Sequence, residues 1–190
     1  MRSLPIRALP LCLALALLAA PAAPAAQIEG VSFDERVELA GQSLTLHGVG
    51  LLRYRWVFKG YVAALYLPPG VAAERVLEDL PKRLELEYFW AIGARDFGAA
   101  AEQLLAQSLS PAELDRLRER MARLHAAYRD VEPGDRYALD YHPDTGTTLR
   151  LNGEPLETVP GADFAAAYFG IWLGNPPLDP SLKQQLLDSR

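Results

Sequence analysis

Cysteine is almost missing from this chain: Cys12 stands alone, inside an apolar N-terminal run. A domain built from the remaining residues has no thiol, which excludes thiol catalysis, thiolate metal sites and disulfide staples. Histidine is nearly as scarce. His47, His125 and His142 lie far apart, and none has a carboxylate or second histidine at ligand spacing, so neither a metal centre nor a histidine-based triad is expected. There is no block rich in Lys and Arg, and the formal net charge is -5. That balance argues against a nucleic-acid partner. The G-x-S-x-G elbow, H-E-x-x-H, the phosphate loop and G-x-G-x-x-G are all absent, and Gly48-Val49-Gly50 is only a fragment of such loops. No cofactor is called for.

A bilayer-length apolar run is also lacking. The stretch from Leu9 to Ala20 is roughly a dozen residues, against about twenty for a spanning helix. Arg2 and Arg7 precede it and Pro21-Ala22-Ala23-Pro24-Ala25-Ala26 follows, the order of a secretory signal with an A-x-A-type cleavage site. The reading is a signal peptide over 1–26, cut after Ala25 or Ala26, and one exported, periplasmic domain over 27–190 with no stable membrane span after processing. Losing Arg2 and Arg7 moves the balance two charges further to the acidic side.

The rest of the chain alternates strand and helix signals. Val37 to Leu46 reads as a hairpin about Ala40-Gly41-Gln42, and Leu51 to Leu67 as strands apolar on nearly every residue. A short helix is expected over Ala72–Leu80, then a strand from Arg83 to Ile92 with Leu84, Leu86, Tyr88 and Trp90 on one side. Asp96 is the expected cap of a helix running to Leu109. Ser110, Pro111 and Glu113 spell a capping box for the next, whose charged face, with His125, reads as solvated. Strands at Tyr137–Tyr141 and Thr147–Leu151 precede the hairpin signal Asn152-Gly153. An apolar helix through Phe164, Tyr168, Ile171 and Trp172 and a short helix ending near Leu187 complete an α+β pattern.

The informative stretch is Leu46 to Leu67, where Arg53, Arg55, Lys59 and Tyr61 are embedded in strongly apolar strand sequence. In one reading the cations decorate a solvent face. In the other, an arginine and Tyr61 point into an apolar cleft as paired donors for an anion, which would offset the cost of burying a guanidinium.

The order G-x-G, arginine and F-K-x-Y-V-A-A-L-Y-L resembles the chalcone isomerase-like superfamily, in particular its exported bacterial branch. Pro133-Gly134-Asp135-Arg136-Tyr137, Gly146-Thr147, Leu151-Asn152-Gly153, Asp163-Phe164 and Ile171-Trp172-Leu173-Gly174 continue the likeness. It implies an open-faced β-sandwich, a large antiparallel sheet packed against a layer of helices with a ligand cleft between. It also implies that Arg53 and Tyr61 serve as anion donors. Leu51-Leu52 adds a residue before Arg53, so Arg55 competes for the role, and Trp56, Phe58 and Trp90 are candidate cleft walls. A tyrosine at position 61 matches the family's fatty-acid binders better than its isomerases, and no asparagine occurs between Tyr88 and Ala101. The resulting expectation is a non-catalytic binder of a fatty-acid-like or other small amphipathic or aromatic acid. The alternatives are an isomerase acting on a chalcone-like phenol and a structural protein whose cleft is filled by its own side chains.

Overall fold

The computed structural model describes residues 24–54 and 58–188. The signal-peptide reading, apart from Pro24–Ala26, and the candidates Arg55 and Trp56 lie outside the described residues. Strands β1 (Pro24–Ile28) and β2 (Val31–Asp34) form a separate hairpin. A seven-stranded antiparallel sheet follows: β3 (Arg36–Leu39), β4 (Gln42–Tyr54), β5 (Phe58–Leu67), β6 (Lys82–Tyr88), β7 (Arg136–His142), β8 (Gly146–Leu151) and β9 (Glu154–Val159). Its spatial order is its chain order. The helices are α1 (Ala94–Ser108), α2 (Pro111–Ala127), α3 (Ala162–Leu173) and α4 (Pro180–Leu187).

The turns have local causes. Ala40-Gly41 and Asn152-Gly153 both take positive φ at the two central positions, the twist that a two-residue antiparallel hairpin needs. The capping box forms in full, with Ser110 accepting from the Glu113 amide and Glu113 accepting from the Ser110 amide. The expected helix over Ala72–Leu80 does not form. A single 3-10 turn at Ala73–Arg75 stands there, closed by bonds from Arg75 to Ala72 and from Val76 to Ala73. Pro81 ends the run before a helix can recover its nucleation cost, and Val76 is its one buried apolar anchor. The start of α1 differs too: Gly93 is the cap position, and Asp130 accepts from the Ala94 amide at 2.8 Å. Asp96 sits in the first turn, where its charge complements the helix dipole.

Alternation gives the sheet two covered faces. Tyr61, Ala63, Leu65, Leu84, Leu86, Tyr88, Tyr137 and Leu139 pack in one core with the helices. Val62, Ala64 and Tyr66 face the other way and pack with Phe33 and Val31 of the β1–β2 hairpin. Burial on both sides explains why β5 is apolar at almost every position. Beyond the hairpin that second face is ionic. Asp140 accepts from both Arg83 and Arg150, while Arg136 reaches Glu85 and Glu87.

The charged face of α2 is partly structural rather than merely solvated. Arg120 bonds Asp163 at the start of α3, and Arg123 bonds Glu157 on β9. His125 likewise departs from the expected solvated position. Gly98 of α1 has no side chain, so His125 packs into the α1–α2 crossing with only 11% of its side chain exposed. Burial lowers its pKa, and Glu102 opposes the shift in part.

Lys82 is fully buried on the helical face. Its ammonium donates to the Glu78 carbonyl at 2.7 Å and lies 4.8 Å from the Tyr141 ring centre. Burial pushes its pKa down to about 8. At pH 7 the folded protein therefore carries a desolvated charge at a cost. Between the folded value and the ordinary lysine range near 10.4, the unfolded chain binds more protons and stability rises with pH. Because Leu80 also donates to the Glu78 carbonyl, Lys82→Met strands no acceptor there. The variant is expected to be more stable by about 1–2 kcal/mol at pH 7, with the advantage shrinking between pH 8 and 10. Urea denaturation of both proteins across that range checks this, and a constant difference would disprove the assignment.

Candidate functional site

Between the apolar sheet face and α1 and α3 lies a cavity of about 280 Å³. That is near the lower end of small-molecule sites, about 300–1,000 Å³. β5, β6 and β7 each contribute one phenol to its floor: Tyr61, Tyr88 and Tyr137. Phe97, Ala101 and Leu104 of α1 line one wall, and Tyr168 and Trp172 of α3 another. Asp96 and Ala100, both exposed, mark its opening.

The rings fix one another by edge-to-face contacts. Tyr61 and Tyr88 are 5.5 Å apart, Tyr88 and Phe97 5.4 Å, and Phe97 and Tyr137 5.2 Å. Their hydroxyls have different duties. That of Tyr137 is saturated, accepting from the Arg129 amide at 2.8 Å and donating to the Arg129 carbonyl at 2.9 Å. Tyr128 and Tyr168 share a bond of 2.9 Å. Tyr61 accepts from Trp172 Nε1 at 2.8 Å, which leaves its own proton to donate elsewhere.

Burial raises the pKa of Tyr61, Tyr88, Tyr128 and Tyr168, so the phenols stay neutral at physiological pH. Among the described residues lining the cavity, the one charged side chain is that of Asp96. Those described lining residues include neither a cation nor an imidazole. No group of three or more possible metal ligands occurs among the described residues, and no described helix is long and apolar enough to cross a membrane.

The structure separates the expected donor pair. Tyr61 faces the cavity, but Arg53 is on the opposite side of the sheet, lining a groove with Glu29, Leu51 and Gln185. It is bonded to Glu29 at 3.4 Å, and Lys59 meets the same carboxylate at 2.6 Å. Alternation along β4 is the cause for Arg53: Leu52 pairs with Tyr61 and shares its face, so the next residue points to the other. Arg53 then pairs with Lys59, which makes Gly60 an extra residue on β5. The bulge turns Lys59 away from the face that Tyr61 occupies. Phe58 and Trp90 do not line the cavity either. They are 54% and 56% exposed, with ring centres 6.5 Å apart, and Trp90 Nε1 donates to the Lys59 carbonyl at 2.7 Å. β6 ends at Tyr88, two residues short of Trp90, so the alternation that would have turned Trp90 inward does not reach it.

Among the wall residues that were not singled out as site candidates by sequence are Phe97, Tyr128, Tyr137 and Tyr168. Their spacing marks them as core, and a cavity wall and a core have the same periodicity. The available signal was the excess of phenols over phenylalanine on those faces, since a buried hydroxyl needs a partner.

Comparison with known proteins gives a consistent placement. Residues 25–188 match the profile of the chalcone isomerase-like family. No curated protein matches the sequence. Among solved structures, a fatty-acid binding protein of Arabidopsis thaliana superposes with a TM-score of 0.61 at 14% identity, covering 84% of this chain and 92% of that one. At that identity the likeness shows the fold, a curled antiparallel sheet backed by helices. With the family profile spanning nearly all the described residues, the chain belongs to the chalcone isomerase-like family.

Proposed function

We propose that this protein is an exported, non-catalytic carrier of a small amphipathic molecule whose apolar body lies in the aromatic cavity. The observation that carries this reading is a cavity walled by apolar side chains and neutral phenols, with no cation or imidazole among its described lining residues. Such a wall can hold and orient a ligand, and its one carboxylate, Asp96, stands exposed at the opening rather than among the buried phenols. The structural neighbour being a fatty-acid binding protein supports a lipid-like ligand. Ring closure of a phenolate substrate would be helped by a cation at the developing charge, and the described lining holds none.

The test is mass spectrometry of organic extracts from the purified domain, with uptake of an uncharged environment-sensitive dye as a second measurement. Ala100 is exposed at the opening. Ala100→Trp should therefore leave the fold intact by circular dichroism while cutting uptake at least about tenfold. A wild-type protein that neither carries a co-purifying molecule nor takes up dye would instead have a cavity filled by its own side chains.

Export rests on the N-terminal signal pattern. Intact mass of protein recovered from the periplasm of an expressing bacterium should correspond to a chain beginning at Ala26 or Gln27. A mass retaining Met1 would overturn the export reading. Cleavage after Ala26 leaves Gln27 and Ile28 to pair with Ser32 and Val31 in the β1–β2 hairpin.

A further inference from the structure

Resting on the carrier reading, we infer that the cavity selects an uncharged head group bearing a hydrogen-bond acceptor, such as the carbonyl of a ketone, aldehyde or ester, and rejects a carboxylate. The cavity offers donors but no described counter-ion. Tyr61 has its oxygen occupied by Trp172, so its proton is directed to another acceptor. Being hydrogen-bonded by an N–H polarises a hydroxyl and makes it a better donor. The Tyr128–Tyr168 pair has two protons and uses one between them, leaving one more. A carbonyl oxygen needs one or two such donors to replace its water.

A carboxylate needs more. Stripped of water in an apolar cavity, it has to be paired as well as hydrogen-bonded, and the cost is large when it is not. None of the described cations lines the cavity, although exposed Arg129 acts electrostatically on the Tyr137 phenol of its floor. Arg53 and Lys59 share Glu29 on the opposite face, and Lys82 is buried with its ammonium on the Glu78 carbonyl. The charge that does stand at the opening, on Asp96, has the wrong sign. His125 approaches from α2, with its ring centre 6.0 Å from that of Tyr168, but burial favours its neutral form. The apolar walls and the acidic entrance discriminate against an anion, and two hydroxyl donors without a counter-ion do not offset its desolvation.

The experiment compares decanoic acid with 2-undecanone, of similar apolar length, by isothermal titration calorimetry of the wild-type domain from pH 5 to pH 8. The ketone has no titrating group, so its profile reports any change in Asp96, His125 or Glu102 and serves as the reference. The ketone is expected to bind with nearly constant affinity. The acid should follow its protonated fraction, weakening relative to the ketone by about tenfold per pH unit above its own pKa. Acid binding at pH 8 as tight as the ketone would overturn the inference while leaving the carrier reading standing. Binding of neither compound at any pH would overturn both. Tyr61→Phe should weaken the ketone by about five- to tenfold while leaving undecane, which has no acceptor, within about twofold. Equal losses for both ligands would show that Tyr61 only shapes the wall. Since the Phe variant strands the Trp172 N–H, Tyr61→Phe with Trp172→Phe is the companion that separates the lost donor from the stranded one.

Discussion

Replacing Asp140 with alanine is expected to lower the unfolding free energy by about 3–4 kcal/mol. The carboxylate is 1% exposed and lies between two guanidinium groups. Arg83 Nη2 donates to Oδ2 at 2.8 Å, with a second bond from Arg83 Nε to Oδ1, and Arg150 Nε donates to Oδ2 at 2.7 Å. Removing the anion leaves two cations facing each other beneath the sheet surface. Arg83 then retains Glu85 at 3.6 Å, and Arg150 its bond to the Gly153 carbonyl. The arginine side chains are 14% and 29% exposed, so water relieves part of the loss and the lower end of the usual range applies. Asp140→Asn keeps the shape and one acceptor and should fall between wild type and alanine. Replacing Asp140, Arg83 and Arg150 together by Leu, Met and Met should recover most of the loss. Guanidinium denaturation measures all three, and a loss under about 1 kcal/mol for alanine would mean that the cluster is no more than a surface ion pair.

A second substitution acts through shape alone. Gly48→Val is expected to cost about 3 kcal/mol, because a side chain there meets the backbone of α4. An added Cβ would lie 2.4 Å from the Leu186 carbonyl oxygen and 2.8 Å from that of Gln185, and backbone cannot step aside as a side-chain end can. The contact matters because α4 is docked along β4. Leu182 and Leu186 are buried in the core, Gln185 accepts from the Leu51 amide at 3.1 Å, and the His47 ring contacts the Leu187 carbonyl at 3.1 Å. Gly48→Ala should show a smaller loss of the same kind. In Gly170→Ala, by contrast, the added carbon meets nothing within 4 Å. That variant should be neutral or gain up to about 1 kcal/mol from helix propensity. Chemical denaturation ranks the three, and a Gly48→Val protein as stable as wild type would show that α4 is not seated where described.

This pair of glycines also shows how far the sequence could be read. Gly48-Val49-Gly50 was recognisable as a motif too short for a phosphate loop, and it proves to be the bed of a helix more than a hundred residues further along. Signals that act within a few residues were legible: the Ser110 capping box, the Asn152-Gly153 turn and the apolar stripe from Phe164 to Trp172 all correspond to elements of the fold. The family resemblance supplied the sheet and its helical layer. Three things were not legible. The bulge at Gly60 decides which face Lys59 takes, and a bulge is a property of a strand pair rather than of one strand. The partners of Arg120 and Arg123 lie on other elements, so α2 alone reads as a solvated face. Finally, packed core and cavity wall share one periodicity, and for that reason the phenols other than Tyr61 were read as core while Arg53 drew attention as its partner at an anion site.

Seven strands whose spatial order repeats their chain order have a kinetic consequence. Most ladders of the sheet join neighbours across a short turn or connection, so most of the pairing closes small loops early and at little entropic cost. The β6–β7 ladder is the exception, since α1 and α2 intervene between its strands. Closing that ladder brings α1 over the sheet, and α3, which follows β9, has to dock as well before the cavity is walled. The cavity is therefore expected to form no faster than these long-range closures, while the hairpins on either side can form and reform many times beforehand.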